Sequence, residues 1–160
     1  MTRAASHSGG AARSAPVEAS SGPGRAQLAL AVLGALSILP PYLGPALGLE
    51  LDVAAKIEVV DHVVPGVVVV LCGVLAALLA RRQEEVGHGA PALALTGLCF
   101  LAGLWQTSTH VPLVFEAGEP ATPLGAVLLH SVVGPMILGL ALWLILRSPA
   151  DDPADPRASA

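Results

Sequence analysis

The chain is expected to fold as an all-α four-helix transmembrane bundle, up-down in topology, with both termini cytoplasmic. Three observations carry that expectation. Of the 160 residues, 54% are hydrophobic and only 12% charged, with a mean hydropathy of +0.71. A soluble domain of this size has no use for so much apolar surface, whereas lipid-embedded helices do. The apolar residues then fall into four stretches, about 26–49, 57–80, 90–115 and 123–146. Each approaches the roughly 20 residues that carry a helix across a hydrocarbon core about 30 Å thick. Finally, the cations alternate. Arg3, Arg13 and Arg25 precede the first stretch, Arg81 and Arg82 join the second to the third, and Arg147 and Arg157 follow the fourth. The opposite side holds only Lys56, among Glu50, Asp52, Glu58, Asp61, Glu116 and Glu119. Arginine and lysine near span ends stay cytoplasmic, so the two acidic loops face outward.

Residues 1–25 are rich in Ser, Gly, Ala and Pro with no apolar periodicity, the composition of a disordered cytoplasmic tail. Segment one, 26–49, is interrupted by Pro40, Pro41 and Pro45; proline inside a helix removes hydrogen bonds and crowds the preceding turn. The uninterrupted part is short, and Ala46-Leu47-Gly48 resembles a small-residue cleavage site, so a cleaved signal stands as the alternative. The long leader and the apolar continuation through Tyr42 and Leu43 argue for a kinked span whose outer end unwinds after Pro40. Segments two to four read as ordinary spans. Val67–Val70 is β-branched, but lipid obliges the backbone to satisfy itself, which selects helix over strand. Short connections at 81–89 and 116–122 make successive spans antiparallel neighbours. From Ser148 the chain is again polar and proline-rich, a second disordered cytoplasmic tail covering 148–160.

Three histidines stand at one depth. At 1.5 Å per residue, His62 lies about 28 Å from Arg81, His110 about 30 Å from Ala90, and His130 about 26 Å from Arg147. Tyr42 falls in the same outer layer if segment one continues as helix. Helical spacing also places each histidine on a stripe of small residues. The second segment groups Glu58, His62, Gly66, Val69, Gly73, Ala76 and Ala80; the third Ala92, Thr96, Cys99, Gly103, Gln106 and His110; the fourth Ala126, His130, Gly134, Ile137, Ala141 and Ser148. Small residues are how membrane helices approach closely, so the three histidines are expected to point into the bundle.

Neutral imidazole ligates Zn, Cu, Ni and Fe. His62, His110 and His130, with Glu58 one turn from His62, therefore form a candidate transition-metal site, with Gln106, Tyr42 and Asp61 as outer partners. Alternatively two of the histidines could be axial ligands of a haem b held between helices, with the glycines making room for the ring; either cofactor would serve metal handling or electron transfer. Two further readings stay open. The chain could be a non-catalytic accessory or assembly subunit whose histidines only bridge helices, or a small transporter or proton-coupled component using Glu58, Asp61 and His62.

Other features narrow the field. Cys72 and Cys99 lie mid-span without a C-x-x-C pairing and read as small buried hydrophobes. Pro65 and Pro135 each free a carbonyl about one turn earlier, the latter at Ser131 beside His130. Trp143 near Arg147 fits an aromatic belt. His88 reads as a solvated loop residue. No H-E-x-x-H, nucleophile elbow or phosphate-binding glycine loop occurs, and no basic cluster suits nucleic acid. The lipid bilayer is the expected partner, and a bundle this small leaves room for a homo-oligomer or partner membrane subunits. One Lys against seven Arg suggests a GC-rich bacterial genome, hence a multi-pass protein of a bacterial cytoplasmic membrane.

Overall fold

A computed structural model describes residues 24–49, 51, 55–86, 90–120 and 122–148. The tails expected at 1–25 and 148–160 lie outside the described residues except at their inner ends, as does His88. Among the described residues the chain is helical throughout, with no strand. Helices α1 (Arg25–Ser37) and α2 (Pro40–Leu47) make the first segment. The second runs from α3 (Ala55–Glu58) through a π turn (Val59–Val63) into α4 (Val64–Val86). The third is α5 (Ala90–Phe115), and the fourth is α6 (Leu124–Ser131) followed by α7 (Val133–Arg147).

Lys56–Arg82, Ala90–Phe115 and Leu124–Arg147 are each long and apolar enough to cross a membrane, and α1 with α2 makes a fourth crossing if the bent pair is one span. The first segment departs from expectation in one respect. Its outer end does not unwind after Pro40 but resumes as α2, bent 49° from α1. Pro40 and Pro41 withhold the N–H groups that the Leu36 and Ser37 carbonyls would receive in a continuous helix. The chain tightens instead, with the Ile38 N–H bonded to the Ala35 carbonyl and the Leu39 N–H to the Leu36 carbonyl, both at 3.2 Å. Gly48, at φ 66°, then ends α2 in a left-handed conformation that glycine adopts without strain.

The four segments form a ring in chain order: α1 packs on α4, α4 on α5, α5 on α7, and α7 back on α1. Small residues make these contacts backbone to backbone. A Cβ on Gly34 of α1 would meet the Gly66 carbonyl oxygen at 2.9 Å, and one on Gly73 the Ala31 nitrogen at 2.8 Å. A Cβ on Gly103 of α5 would lie 2.7 Å from the Leu138 nitrogen of α7. In lipid no hydrophobic gain favours helix association, and close van der Waals contact of this kind is what holds membrane helices together.

The inward stripes match those expected from spacing. Helix α5 buries Ala92, Thr96, Cys99, Gly103, Gln106 and His110, and α6 and α7 bury Ala126, His130, Gly134, Ile137 and Ala141. Ser148 is exposed and Ala80 only half-buried, because the stripe runs off the packed region at the arginine-bearing ends. Meanwhile Leu71, Leu75, Leu101, Phe115 and Leu146 are all at least half exposed. Polar side chains inside and large apolar ones outside is an arrangement water would not tolerate, and it suits a membrane protein. At the far end, the Arg147 guanidinium carbon sits 4.5 Å from the Trp143 ring centre, a cation–π contact at the place expected for an interfacial aromatic.

A buried histidine cluster as candidate functional site

The three histidines converge. His62, His110 and His130 are 1%, 5% and 2% exposed. The His62 ring centre lies 4.6 Å from that of His110 and 5.2 Å from that of His130. They border a cavity of about 130 Å³ whose polar wall is Glu58, Asp61, His62, Thr109, His110 and His130, closed by Leu51, Ile57 and Leu113.

The local backbone explains how each side chain reaches it. Pro65 has no N–H to return to the preceding turn, and the turn widens: the Val64 N–H bonds the Val59 carbonyl, five residues back. Such π turns are rare and recur at functional sites. The wider turn shifts the phase of the residues before it, so Asp61, which regular helical counting sets about 100° off the stripe, joins His62 on the cavity wall. On the fourth segment Pro135 denies the Ser131 carbonyl its donor, and the helix breaks for one residue at Val132. His130 sits on the last turn of α6, beside that break.

Carbonyl oxygens only accept, and from this the protonation of each ring follows. His110 Nδ1 is 2.7 Å from the Gln106 carbonyl oxygen, so Nδ1 carries the proton and donates. The neutral ring then has a bare Nε2. His62 Nε2 stands 3.0 Å from it and must donate, which leaves His62 Nδ1 bare. The Gln106 amide nitrogen, 3.2 Å away, donates to that lone pair and also to the Ser37 hydroxyl oxygen at 2.7 Å. Ser37 in turn donates to the His62 carbonyl at 3.4 Å. His130 Nδ1 donates to the Ala126 carbonyl at 2.8 Å, which in the neutral ring leaves its Nε2 bare as well. That nitrogen is buried without a hydrogen-bond partner, and the nearest charged atom is Glu58 Oε1 at 3.7 Å.

Three expectations need correction or refinement. Tyr42 does not join the layer: it is 63% exposed on α2, carried away by the bend after Ser37. Ser37 takes the inward place on segment one, fully buried, and spacing gave no signal for it because it lies about a turn deeper than the histidines. Glu58 reaches His130 across the bundle rather than His62 on its own segment. Gln106 is in contact with His62 as a partner beyond the ring, and with Ser37 it ties three segments together.

Fitting a cofactor to these donors separates the two that the sequence suggested. His62 and His110 touch directly, with no slot between them for a porphyrin, and the cavity is small against such a ring. A bare ion suits the donor set: three imidazole nitrogens and a carboxylate, with every Nδ1 held from outside. The donors are not yet arranged around one point, however. Among the described residues no three His, Cys, Asp or Glu side chains stand at metal-ligand spacing, since His62 is bonded to His110. Compared with protein-family models, curated proteins and solved structures, the chain gives no match.

Proposed function

We propose that the chain is a multi-pass membrane protein, both termini cytoplasmic, that binds a divalent transition-metal ion through His62, His110, His130 and Glu58 near the outer face, in metal handling. The carrying observation is His130 Nε2: a bare imidazole nitrogen, 2% exposed, facing a carboxylate at 3.7 Å without a partner. A buried acceptor left unpaired costs about 1–3 kcal/mol, and a cation placed between it and Glu58 satisfies both. Two more imidazoles on the same cavity would bring the number of donors to four. The arginine-rich ends support the orientation, and the excess of Arg over Lys fits a GC-rich bacterial genome.

The test is elemental analysis of protein purified in mild detergent with a non-histidine tag and no chelator, then offered Zn²⁺ or Co²⁺. Near-stoichiometric ion that disappears in His62→Ala/His110→Ala/His130→Ala supports the reading; a wild type that stays empty, or a triple variant that still loads, sinks it. The same Glu58–His130 contact favours a second reading, in which the pair shares a proton in a coupled transport step. Cation uptake that needs Glu58 yet leaves no ion bound after washing would favour that one. An accessory subunit with helix-bridging histidines would bind nothing and lose only stability.

A further inference from the structure

Beside His130 Nε2, the cluster holds another buried acceptor without a partner, Gln106 Oε1. It belongs to the residue on which the histidine protons hinge. As the amide stands, its N–H groups meet His62 Nδ1 and Ser37, which keeps the His62 proton on Nε2 and that nitrogen bonded to His110. In this arrangement His62 has no lone pair for an ion.

We infer that the Gln106 carboxamide is a two-position switch that decides whether His62 pairs with His110 or faces the cavity as a ligand; this rests on the metal reading above. Turned over about its last side-chain bond, the amide presents Oε1 where its nitrogen now stands. That oxygen accepts from the Ser37 hydroxyl and from a proton on His62 Nδ1. The exchange balances: His62 gives up its Nε2 proton to water and takes one from water at Nδ1, Ser37 swings its hydroxyl from the His62 carbonyl to the amide, and no net proton is gained. His62, His110 and His130 then each hold Nδ1–H on a protein acceptor and offer a bare Nε2. This is the pattern in which an outer partner fixes the tautomer of a metal-ligating histidine.

The resting position follows from the same count. Turning the amide breaks the His62–His110 bond and moves the amide N–H groups to where Oε1 now finds no partner, a cost only a bound ion offsets. Gln106 is thus a positioning residue. It also couples the site to the first segment, because Ser37 lies just before the bend between α1 and α2.

Gln106→Glu and Gln106→Met test this, with ¹⁵N NMR of labelled histidines and Co²⁺ titration. Ionised Glu only accepts, so it should hold the His62 proton on Nδ1 even without metal and bind Co²⁺ at least about tenfold more tightly. Met has similar length and no amide, and should bind about tenfold more weakly. Wild-type His62 should read Nε2–H when empty and Nδ1–H when loaded. The switch is overturned if His62 keeps the same tautomer in both wild-type states, or if both variants shift affinity in the same direction. If wild type binds no ion, the metal reading falls alone. The switch is then judged by whether Gln106→Glu moves the His62 proton relative to wild type and Gln106→Met, with folded helicity confirmed by circular dichroism.

Discussion

Gly103→Ala should loosen both the bundle and the site, and its size can be worked from the backbone. The added Cβ would stand 2.7 Å from the Leu138 nitrogen and 3.0 Å from Ile137 Cγ2, where ordinary contact begins near 3.4 Å. The α5 and α7 backbones must therefore part by 3.4 − 2.7, about 0.7 Å. Overpacking of this kind costs about 1–3 kcal/mol, while alanine in a helix interior returns about 0.5–1 kcal/mol relative to glycine. Gly97, on the same helix, has nothing within 4 Å of a Cβ, so Gly97→Ala collects the propensity gain alone. The difference between the variants is then the overpacking cost itself, roughly 5- to 150-fold in the unfolding equilibrium. Reversible unfolding in mixed micelles titrated with SDS, followed by far-UV circular dichroism, measures it. Because His110 lies two turns beyond Gly103 on α5, and His130 belongs to the segment being pushed away, Gly103→Ala should also weaken Co²⁺ binding. Equal stability of the two variants, within about 0.3 kcal/mol, would refute the backbone contact between α5 and α7.

Ser37→Ala removes the acceptor of a 2.7 Å bond from Gln106 and leaves a buried N–H unpaired, so stability should fall by about 1–3 kcal/mol; a silent variant in the same SDS titration would count against the α1 connection. Tyr42→Ala, at an exposed position beyond the bend, should leave Co²⁺ affinity unchanged, whereas His130→Ala should abolish it, and comparable losses would put Tyr42 back in the layer. Protons compete with a metal ion for imidazole nitrogens, so Co²⁺ binding should weaken as pH is lowered, and a pH-independent isotherm would contradict histidine ligation. Glu119→Cys should react with a membrane-impermeant maleimide on intact cells and Ser148→Cys only after permeabilisation. Cys72 and Cys99, 8% and 0% exposed, supply little background; reversed labelling would invert the proposed orientation.

The inward faces were legible because they depend on helical periodicity alone: once lipid forces the backbone into helices, residues at three- and four-residue spacing share a stripe whatever they pack against. Gln106, His110 and His130 came out on their stripes for that reason. Depth was legible too, since a fixed rise per residue converts distance from the charged ends into height, and that put His62 level with the other two. The same arithmetic failed at Tyr42. Its placement was conditional on segment one continuing as helix past Pro40 and Pro41; the chain bends 49° there and Tyr42 is exposed. Helical counting sets Asp61, an expected outer partner, about 100° off the stripe; the π turn ahead of Pro65, which does not keep the regular period, is what brings it to the cavity wall.

By itself, then, the sequence determined a helical chain with three or four segments long and apolar enough to cross a membrane, the inward stripes and the common level of the histidines. All of these are properties of single helices in an apolar solvent. Which side chains touch across helices was decided only by tertiary structure: Glu58 with His130, His62 with His110, and Gln106 with Ser37 and His62. Those pairings depend on how closely glycine lets each pair of backbones approach and on where proline bends or widens them. The directions of the hydrogen bonds belong to the same level, since they follow from which rings meet a carbonyl that can only accept.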